Sequence, residues 1–168
     1  MTPPPPSRSA RTTLLGLIGW VALCYAVAGI GGLASVDAAR FYNGLSRPAW
    51  APPAWLFGPA WALLFTLMAL AAWRVWRRAG FAAGGPALLL FIAQLLPNAA
   101  WSWLFFAAHT GPYSTLDISI LWLMIAATLG AFARIERRAA WLLVPYLLWV
   151  SFAFALNVAV WRLNPGTL

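Results

Sequence analysis

Charged residues are scarce in this 168-residue sequence: only 8% are Asp, Glu, Lys or Arg, whereas 63% are hydrophobic. A soluble domain usually has about a quarter of its residues charged and about half apolar. The acidic residues number three, namely Asp37, Asp117 and Glu136. This shortage excludes an ordinary soluble globular protein and indicates a chain that crosses a membrane several times.

Lysine is absent, so the net charge of +8 comes from eleven arginines. On a soluble chain such a charge would suggest nucleic acid, but here the arginines cluster at the ends of apolar runs, where they set topology. One cysteine, Cys24, excludes an intramolecular disulfide. One histidine, His109, is too few for a recognisable metal site or Ser-His-Asp triad. We expect no nucleic-acid partner, no metal and no catalytic motif.

Five apolar runs of about 20 residues follow one another, and each is long enough for a helix to cross the hydrocarbon core of a bilayer. They predict an all-α membrane protein, a bundle of five transmembrane helices in one domain over residues 13–164, after a disordered tail over 1–12. The stretches AGFAAGGP (79–86) and HTGPYS (109–114) are predicted turns, and Pro97 is expected to kink the third helix. The predicted helices are 13–35, 55–76, 86–108, 113–133 and 139–161.

The arginines are distributed unequally between the two ends of these helices. Three lie on one side, namely Arg40, Arg47 and Arg162, and eight on the other: Arg8, Arg11, Arg74, Arg77, Arg78, Arg134, Arg137 and Arg138. The positive-inside rule predicts a cytoplasmic N-terminus and an exterior connector between the first two helices. Abundant Arg, Ala and Pro without lysine are typical of a GC-rich bacterial genome, so we expect the bacterial cell membrane.

Aromatic and amide residues form stripes along three of the predicted helices. Their spacing of three and four residues places them on one helical face. Buried amides need either partners on neighbouring helices or a cavity, and both interpretations stay open, although the depth of Trp61, Trp101 and Trp149 favours a pocket. The stripes are Trp61, Phe65 and Met68; Gln94, Asn98, Trp101 and Phe105; and Tyr146, Trp149, Ala153 and Asn157.

The connector SRPAWAPPAW (46–55) is rigid, aromatic and positively charged. Proline restricts the unfolded chain, so Pro48, Pro52 and Pro53 reduce the entropy lost on ordering the connector. Trp50 offers a flat apolar face, and Arg47 supplies a cation. We predict that this connector is a lid over the pocket.

Three long stretches resemble the translocator protein / tryptophan-rich sensory protein family (TspO/MBR). They are FYNGLSRPAWAPPAWLFGPAWALLF (41–65), QLLPNAAWSWLFF (94–106) and VPYLLWVSFAFALNVAVWRLN (144–164). The resemblance implies five transmembrane helices, often as a homodimer, with a ligand pocket beneath the first connector. The pocket positions that it transfers are Phe57, Trp61, Asn98, Trp101, Tyr113, Leu116, Trp149, Ala153 and Leu156.

Members of this family bind porphyrins, sterols and benzodiazepine-type ligands, so the resemblance implies a sensory or translocator protein with a porphyrin or haem as ligand and no required cofactor. The aromatic and amide stripes add Gln94, Phe105 and Asn157 to the pocket residues that the resemblance implies. The predicted lid adds Trp50. Two alternatives remain open: an enzyme for light-dependent oxidative porphyrin degradation using Trp61 and Trp149, and a transporter of tetrapyrroles or sterols.

Overall fold

The computed structural model describes residues 9–168, and within that range the chain is helical with no β-strand. A short 3-10 helix, Ala54–Leu56, precedes α3, and a π-helix, Trp103–Ala107, extends it. The predicted all-α class is confirmed. The α-helices are α1 Ala10–Leu33, α2 Ala38–Gly44, α3 Phe57–Ser102, α4 Gly111–Ile135 and α5 Arg137–Leu163.

Helix α3 consists of two arms, 57–79 and 81–102, that meet at Gly80. Gly80 has φ 64° and ψ −167°, and it is the residue inside α3 whose backbone torsions are not helical. Trp73 Nε1 in the first arm donates to the Thr13 carbonyl near the start of α1. The Tyr25 hydroxyl, further along α1, lies 2.8 Å from Thr66 Oγ1. The first arm therefore runs antiparallel to α1.

The second arm runs parallel to α1. The Trp20 ring lies 5.9 Å from the Phe91 ring. Further along both segments, Trp103 Nε1 donates to the Ile30 carbonyl over 3.2 Å. Since one arm is antiparallel and the other parallel to the same helix, the chain reverses its direction at Gly80.

Four helical segments in the described part of the chain are long and apolar enough to cross a membrane. Helix α3, with 46 residues, is about 70 Å in total length at 1.5 Å per residue. This is about twice the thickness of the hydrocarbon core, and its two arms run in opposite directions. The protein is thus an integral membrane bundle of five transmembrane helices, as predicted.

The connections differ in detail from the sequence prediction. The predicted turn over 79–86 is reduced to Gly80, because glycine alone adopts that backbone conformation without strain and the residues after it are helical. Backbone torsions stay helical at Pro97, and the departure from α-helical bonding comes later, in the π-helix.

The two ends of the first predicted segment also differ. Helix α1 starts at Ala10, inside the predicted tail 1–12, because the Ser9 side chain caps it by accepting from the Thr12 amide. The first eight residues, including Arg8, lie outside the described residues. The connector after α1 is partly helical, since it contains α2.

The arms of α3, with α4 and α5, enclose most of the buried side chains, among them Phe91, Phe132 and Tyr146. Helix α1 packs against α3 and contributes few buried residues, namely Trp20, Cys24 and Gly31. At one end of the bundle, which we call the connector end, lie the end of α5 and the connector 34–53, which contains α2. The opposite end holds Gly80 and the α4–α5 junction.

Candidate ligand cavity

A cavity of about 320 Å³ lies at the connector end, between α1, α2 and the two arms of α3. This volume is at the lower limit of the roughly 300–1,000 Å³ of ligand sites. Its wall is mostly aromatic and apolar, with Asn98 as an amide among the rings. The aromatic lining residues are Tyr25, Tyr42, Phe57, Trp61, Phe65, Trp101 and Phe106.

Small residues of α1 and α2 shape the side and roof of the cavity. Gly31 and Gly32 line it from α1, and Ala38 and Ala39 line it from α2. A Cβ atom on Gly31 would lie 3.2 Å from the Ser102 hydroxyl oxygen, so glycine permits the close approach of α1 to the second arm.

Asn98 belongs to a buried hydrogen-bond chain that crosses from α3 to α5. Its Nδ2 donates to the Tyr146 hydroxyl over 2.7 Å, and that hydroxyl donates to Gln94 Oε1 over 2.8 Å. Because the Tyr146 proton is directed toward Gln94, the Asn98 amide must present its nitrogen to Tyr146. Its oxygen accepts no hydrogen bond from residues 9–168, and the Asn98 side chain also lines the cavity.

A second hydrogen-bond chain fixes Trp101 in the cavity wall. Trp101 Nε1 donates to Asn157 Oδ1 over 3.1 Å, and Asn157 Nδ2 donates to Thr115 Oγ1 over 2.7 Å. The Trp101 ring is also stacked on Phe105, with centroids 5.2 Å apart and planes 13° apart. Trp101 is therefore held in one orientation by α4, α5 and the π-helix.

Tyr42, in α2, links the cavity to the proline-rich part of the connector. Its hydroxyl donates to the Pro52 carbonyl over 3.1 Å, and the Arg47 guanidinium carbon lies 4.7 Å from its ring centroid. Burial raises the pKa of the Tyr42 phenol above its ordinary value, so the hydroxyl keeps the proton that it donates. Arg47 is therefore held over the ring of Tyr42, a residue that lines the cavity.

The connector is attached to the rest of the bundle by Asn164, at the end of α5. Asn164 Oδ1 accepts from the Ser46 amide over 2.9 Å, and its Nδ2 donates to the Ser46 carbonyl over 2.8 Å. Two ring contacts add to this attachment, Trp50 with Phe152 at 5.8 Å and Phe41 with His109 at 4.0 Å.

The cavity brings together four of the predicted ligand-binding residues, Phe57, Trp61, Asn98 and Trp101. Directly behind its wall lie three more predicted residues, all buried: Gln94, Phe105 and Asn157. The predicted lid residues Arg47, Pro48, Trp50, Pro52 and Pro53 lie in the connector, where Trp50 is 52% exposed.

The predicted residues of α4 and α5 do not line this cavity. Trp149 is half-buried, and its ring lies 6.0 Å from the ring of Phe57, which does line the cavity. Ala153 and Leu156 are buried in the bundle. Tyr113 and Leu116 are 65% and 59% exposed on the outer surface of α4.

Sequence reasoning missed Tyr25 and Tyr42, which both line the cavity. Tyr25 lies in α1, and Tyr42 lies in α2 within the connector. Tyr25 could have been recognised because a tyrosine inside an apolar run requires a partner for its hydroxyl. Thr66 and the Ala62 carbonyl supply that partner here.

The fold and this cavity define a class: a small integral membrane protein of five transmembrane helices, with an aromatic cavity beneath a proline-rich connector. Residues 20–162 match the TspO/MBR family, and the chain belongs to that family. The resemblance drawn from the three sequence stretches is thereby confirmed. The protein is a membrane protein of the tryptophan-rich sensory and translocator type.

Relatives from bacteria and animals support this assignment. The chain is 40% identical to the tryptophan-rich protein TspO of Chlorobaculum tepidum, over 90% of this chain and 98% of that protein. It is 39% identical to the tryptophan-rich sensory protein of Cereibacter sphaeroides, over 86% and 89% respectively. With the human translocator protein it shares 37% identity over 76% of each chain.

Proposed function

We propose that this protein binds a porphyrin or related tetrapyrrole in the aromatic cavity and acts as a sensor or regulator of tetrapyrrole handling. The observation that carries the proposal is the set of rings around one cavity, with the Asn98 amide among the lining residues and Arg47 over the ring of the lining residue Tyr42. A tetrapyrrole is planar and largely apolar and carries carboxylates at one edge. Aromatic walls stack on such a plane, and a guanidinium binds carboxylates through paired hydrogen bonds.

The polar groups suggest how the ligand is oriented. Arg47 lies above Tyr42 at the connector end, so the carboxylate edge is expected to face the connector. Asn98 lines the cavity, and its oxygen has no donor among the described residues, so a ligand with an N–H donor on its buried side is favoured. Since the cavity volume is small for a macrocycle, we expect the connector to open when the ligand enters.

Titration of the detergent-purified protein with protoporphyrin, followed by tryptophan fluorescence quenching, tests this proposal. The wild type is expected to bind saturably, and Trp61→Leu to weaken binding by roughly threefold to tenfold through loss of ring stacking. Trp141→Leu is the matched control, because Trp141 is 68% exposed and lies at the opposite end of the bundle. Equal affinities for the two variants, or no saturation in the wild type, would contradict the proposal.

A second candidate function is light-dependent oxidative opening of the bound ring by dioxygen. It is favoured by the position of Trp61 in the cavity wall and by the contact of Trp149 with Phe57, another residue of that wall. Illumination of the same complex distinguishes the two functions by absorbance spectra recorded over time. An enzyme gives a new absorbing product that is reduced in Trp149→Phe, whereas a binding protein gives equal bleaching in both.

A further inference from the structure

The first arm of α3 and the α4–α5 junction are joined by ion pairs at the end of the bundle opposite the connector. Arg74 Nη2 lies 3.6 Å from Glu136 Oε1, and Arg78 Nη1 lies 3.7 Å from Glu136 Oε2. Arg134, Arg137 and Arg138 flank Glu136 in sequence. Two separate arginine clusters therefore form one surface.

Helix α1 adds a further cation to the same end. Trp73 Nε1 donates to the Thr13 carbonyl, which places the start of α1 beside the end of the first arm. The Arg77 guanidinium carbon lies 4.5 Å from the Trp73 ring centroid, and Arg11 lies two residues before Thr13. We call these residues the arginine patch: Arg11, Arg74, Arg77, Arg78, Arg134, Arg137 and Arg138.

The charge of the arginine patch is poorly balanced by the protein itself. Glu136 is its acidic residue, and Arg74 and Arg78 already share both of its oxygens. Among residues 9–168, the exposed side chains of Arg77, Arg134, Arg137 and Arg138 form no ion pair with a carboxylate. Asp37 lies in the connector, and Asp117 lies in α4 near the connector end. The patch therefore needs anions from outside the protein.

The position of the patch indicates which anion it meets. Trp141 lies one turn into α5 from Arg137 and Arg138 and is 68% exposed. Exposed tryptophans at helix ends mark the boundary between lipid and water, so these guanidinium groups lie at the depth of lipid phosphates. A guanidinium binds phosphate through paired hydrogen bonds.

We propose that the arginine patch is a binding surface for anionic lipid headgroups, with Arg77, Arg134, Arg137 and Arg138 as the contacting residues. Anionic lipid is preferred there over zwitterionic lipid because each arginine near the surface adds an attraction to net negative headgroups. The surface is at the opposite end of the bundle from the ligand cavity.

The test compares lipid retention by the full chain in detergent micelles, where orientation in the cell has no influence. Native mass spectrometry measures the retention of added phosphatidylglycerol and phosphatidylcholine by the wild type and by Arg137→Gln/Arg138→Gln. Arg40→Gln/Arg162→Gln is the control, since it makes the same change of charge at the connector end. We expect the wild type and the control to prefer phosphatidylglycerol and the patch variant to bind it roughly tenfold or more weakly.

Equal retention of both lipids by the wild type, or the same loss in both double variants, would overturn the proposal. Inorganic phosphate is added as a competitor at the same phosphate concentration, and if it displaces the lipid, the surface recognises free phosphate instead. The Arg74 and Arg78 pairs with Glu136 are intact in the patch variant, which favours folding. If that variant still fails to fold, Arg134→Gln replaces it, with an expected loss of about fivefold, and an unchanged affinity overturns the proposal.

Discussion

A single hydroxyl group, on Tyr146, links two buried amides of the second arm of α3. It accepts from Asn98 and donates to Gln94, and both Tyr146 and Gln94 are only 1% exposed. In an environment without water, each amide left unpaired costs the full free energy of desolvation. The hydroxyl therefore stabilises the α3–α5 contact, since one group on α5 bonds to both amides of α3.

Tyr146→Phe is expected to lower the free energy of unfolding by about 1–3 kcal/mol, because it leaves both amides without this partner. Unfolding of the detergent-solubilised protein by sodium dodecyl sulfate measures the change. Tyr113→Phe removes the same atom from a residue that is 65% exposed and should leave stability unchanged. Equal effects of the two substitutions would mean that the buried hydroxyl contributes nothing.

At the scale of residues, the sequence predicted which side chains share one helical face but not the residues to which they bond. The spacing of Gln94, Asn98, Trp101 and Phe105 placed them on one face, and all four are buried. Asn98 satisfies both interpretations that were left open, since it bonds across helices and lines the cavity. Its bond to Tyr146 depends on the axial register of α3 and α5, which no local spacing determines.

Among the elements, α3 shows that the chain can reverse its direction at a single residue. Gly80 has positive φ with ψ near 180°, a conformation essentially restricted to glycine. The sequence AGFAAGGP offered three glycines for the turn, and composition alone did not distinguish Gly80 from Gly84 and Gly85. Only the packing of both arms against α1 requires the reversal at Gly80.

Gly80→Ala is expected to destabilise the protein by about 1–3 kcal/mol through backbone strain. Gly85→Ala is the matched control, because Gly85 lies within the second arm and an added Cβ meets no atom within 4 Å. That substitution should be neutral or stabilising by up to about 1 kcal/mol, since alanine favours helix. The midpoint of thermal unfolding in detergent reports both changes, and a tolerated Gly80→Ala would refute the strain argument.

Asn164 acts at the same scale by fastening the connector to α5. Asn164→Ala removes both hydrogen bonds to Ser46. Backbone amide hydrogen exchange over residues 36–53 is therefore expected to accelerate by about tenfold, which corresponds to a loss of about 1.4 kcal/mol in the free energy of local opening. Asn43→Ala provides the comparison. Asn43 is exposed, and its side-chain amide forms no hydrogen bond with any of residues 9–168. If the connector also closes the ligand cavity, protoporphyrin will dissociate faster from Asn164→Ala than from Asn43→Ala.

For the whole molecule, the number of crossings was predictable because the bilayer fixes how long an apolar helix must be. The arrangement of side chains around the cavity was less predictable. Sequence resemblance assigned residues of all the later helices to one pocket, whereas the residues that line the cavity come from the chain between Tyr25 and Phe106, before α4 and α5. Such side-chain placement depends on packing among several helices at once, which no single stretch of sequence contains.

Orientation in the membrane is a prediction at this scale as well. With the arginine patch in the cytoplasm, as the positive-inside rule requires, a membrane-impermeant maleimide should label Asn43→Cys in intact cells. It should label Ala82→Cys, an exposed position beside Gly80, only after permeabilisation. The native thiol gives no background because Cys24 is fully buried. The reverse labelling pattern would show the opposite orientation.

The reversal at Gly80 also bears on how the protein is made. Two membrane crossings are joined there by one non-helical residue, so the first arm has no long loop after it that could stay in water while the second arm is synthesised. The arms are therefore expected to leave the ribosome and enter the lipid together, as a preformed helical hairpin. Insertion of this pair in one step would give α1 both of its neighbours at once, before α4 and α5 exist.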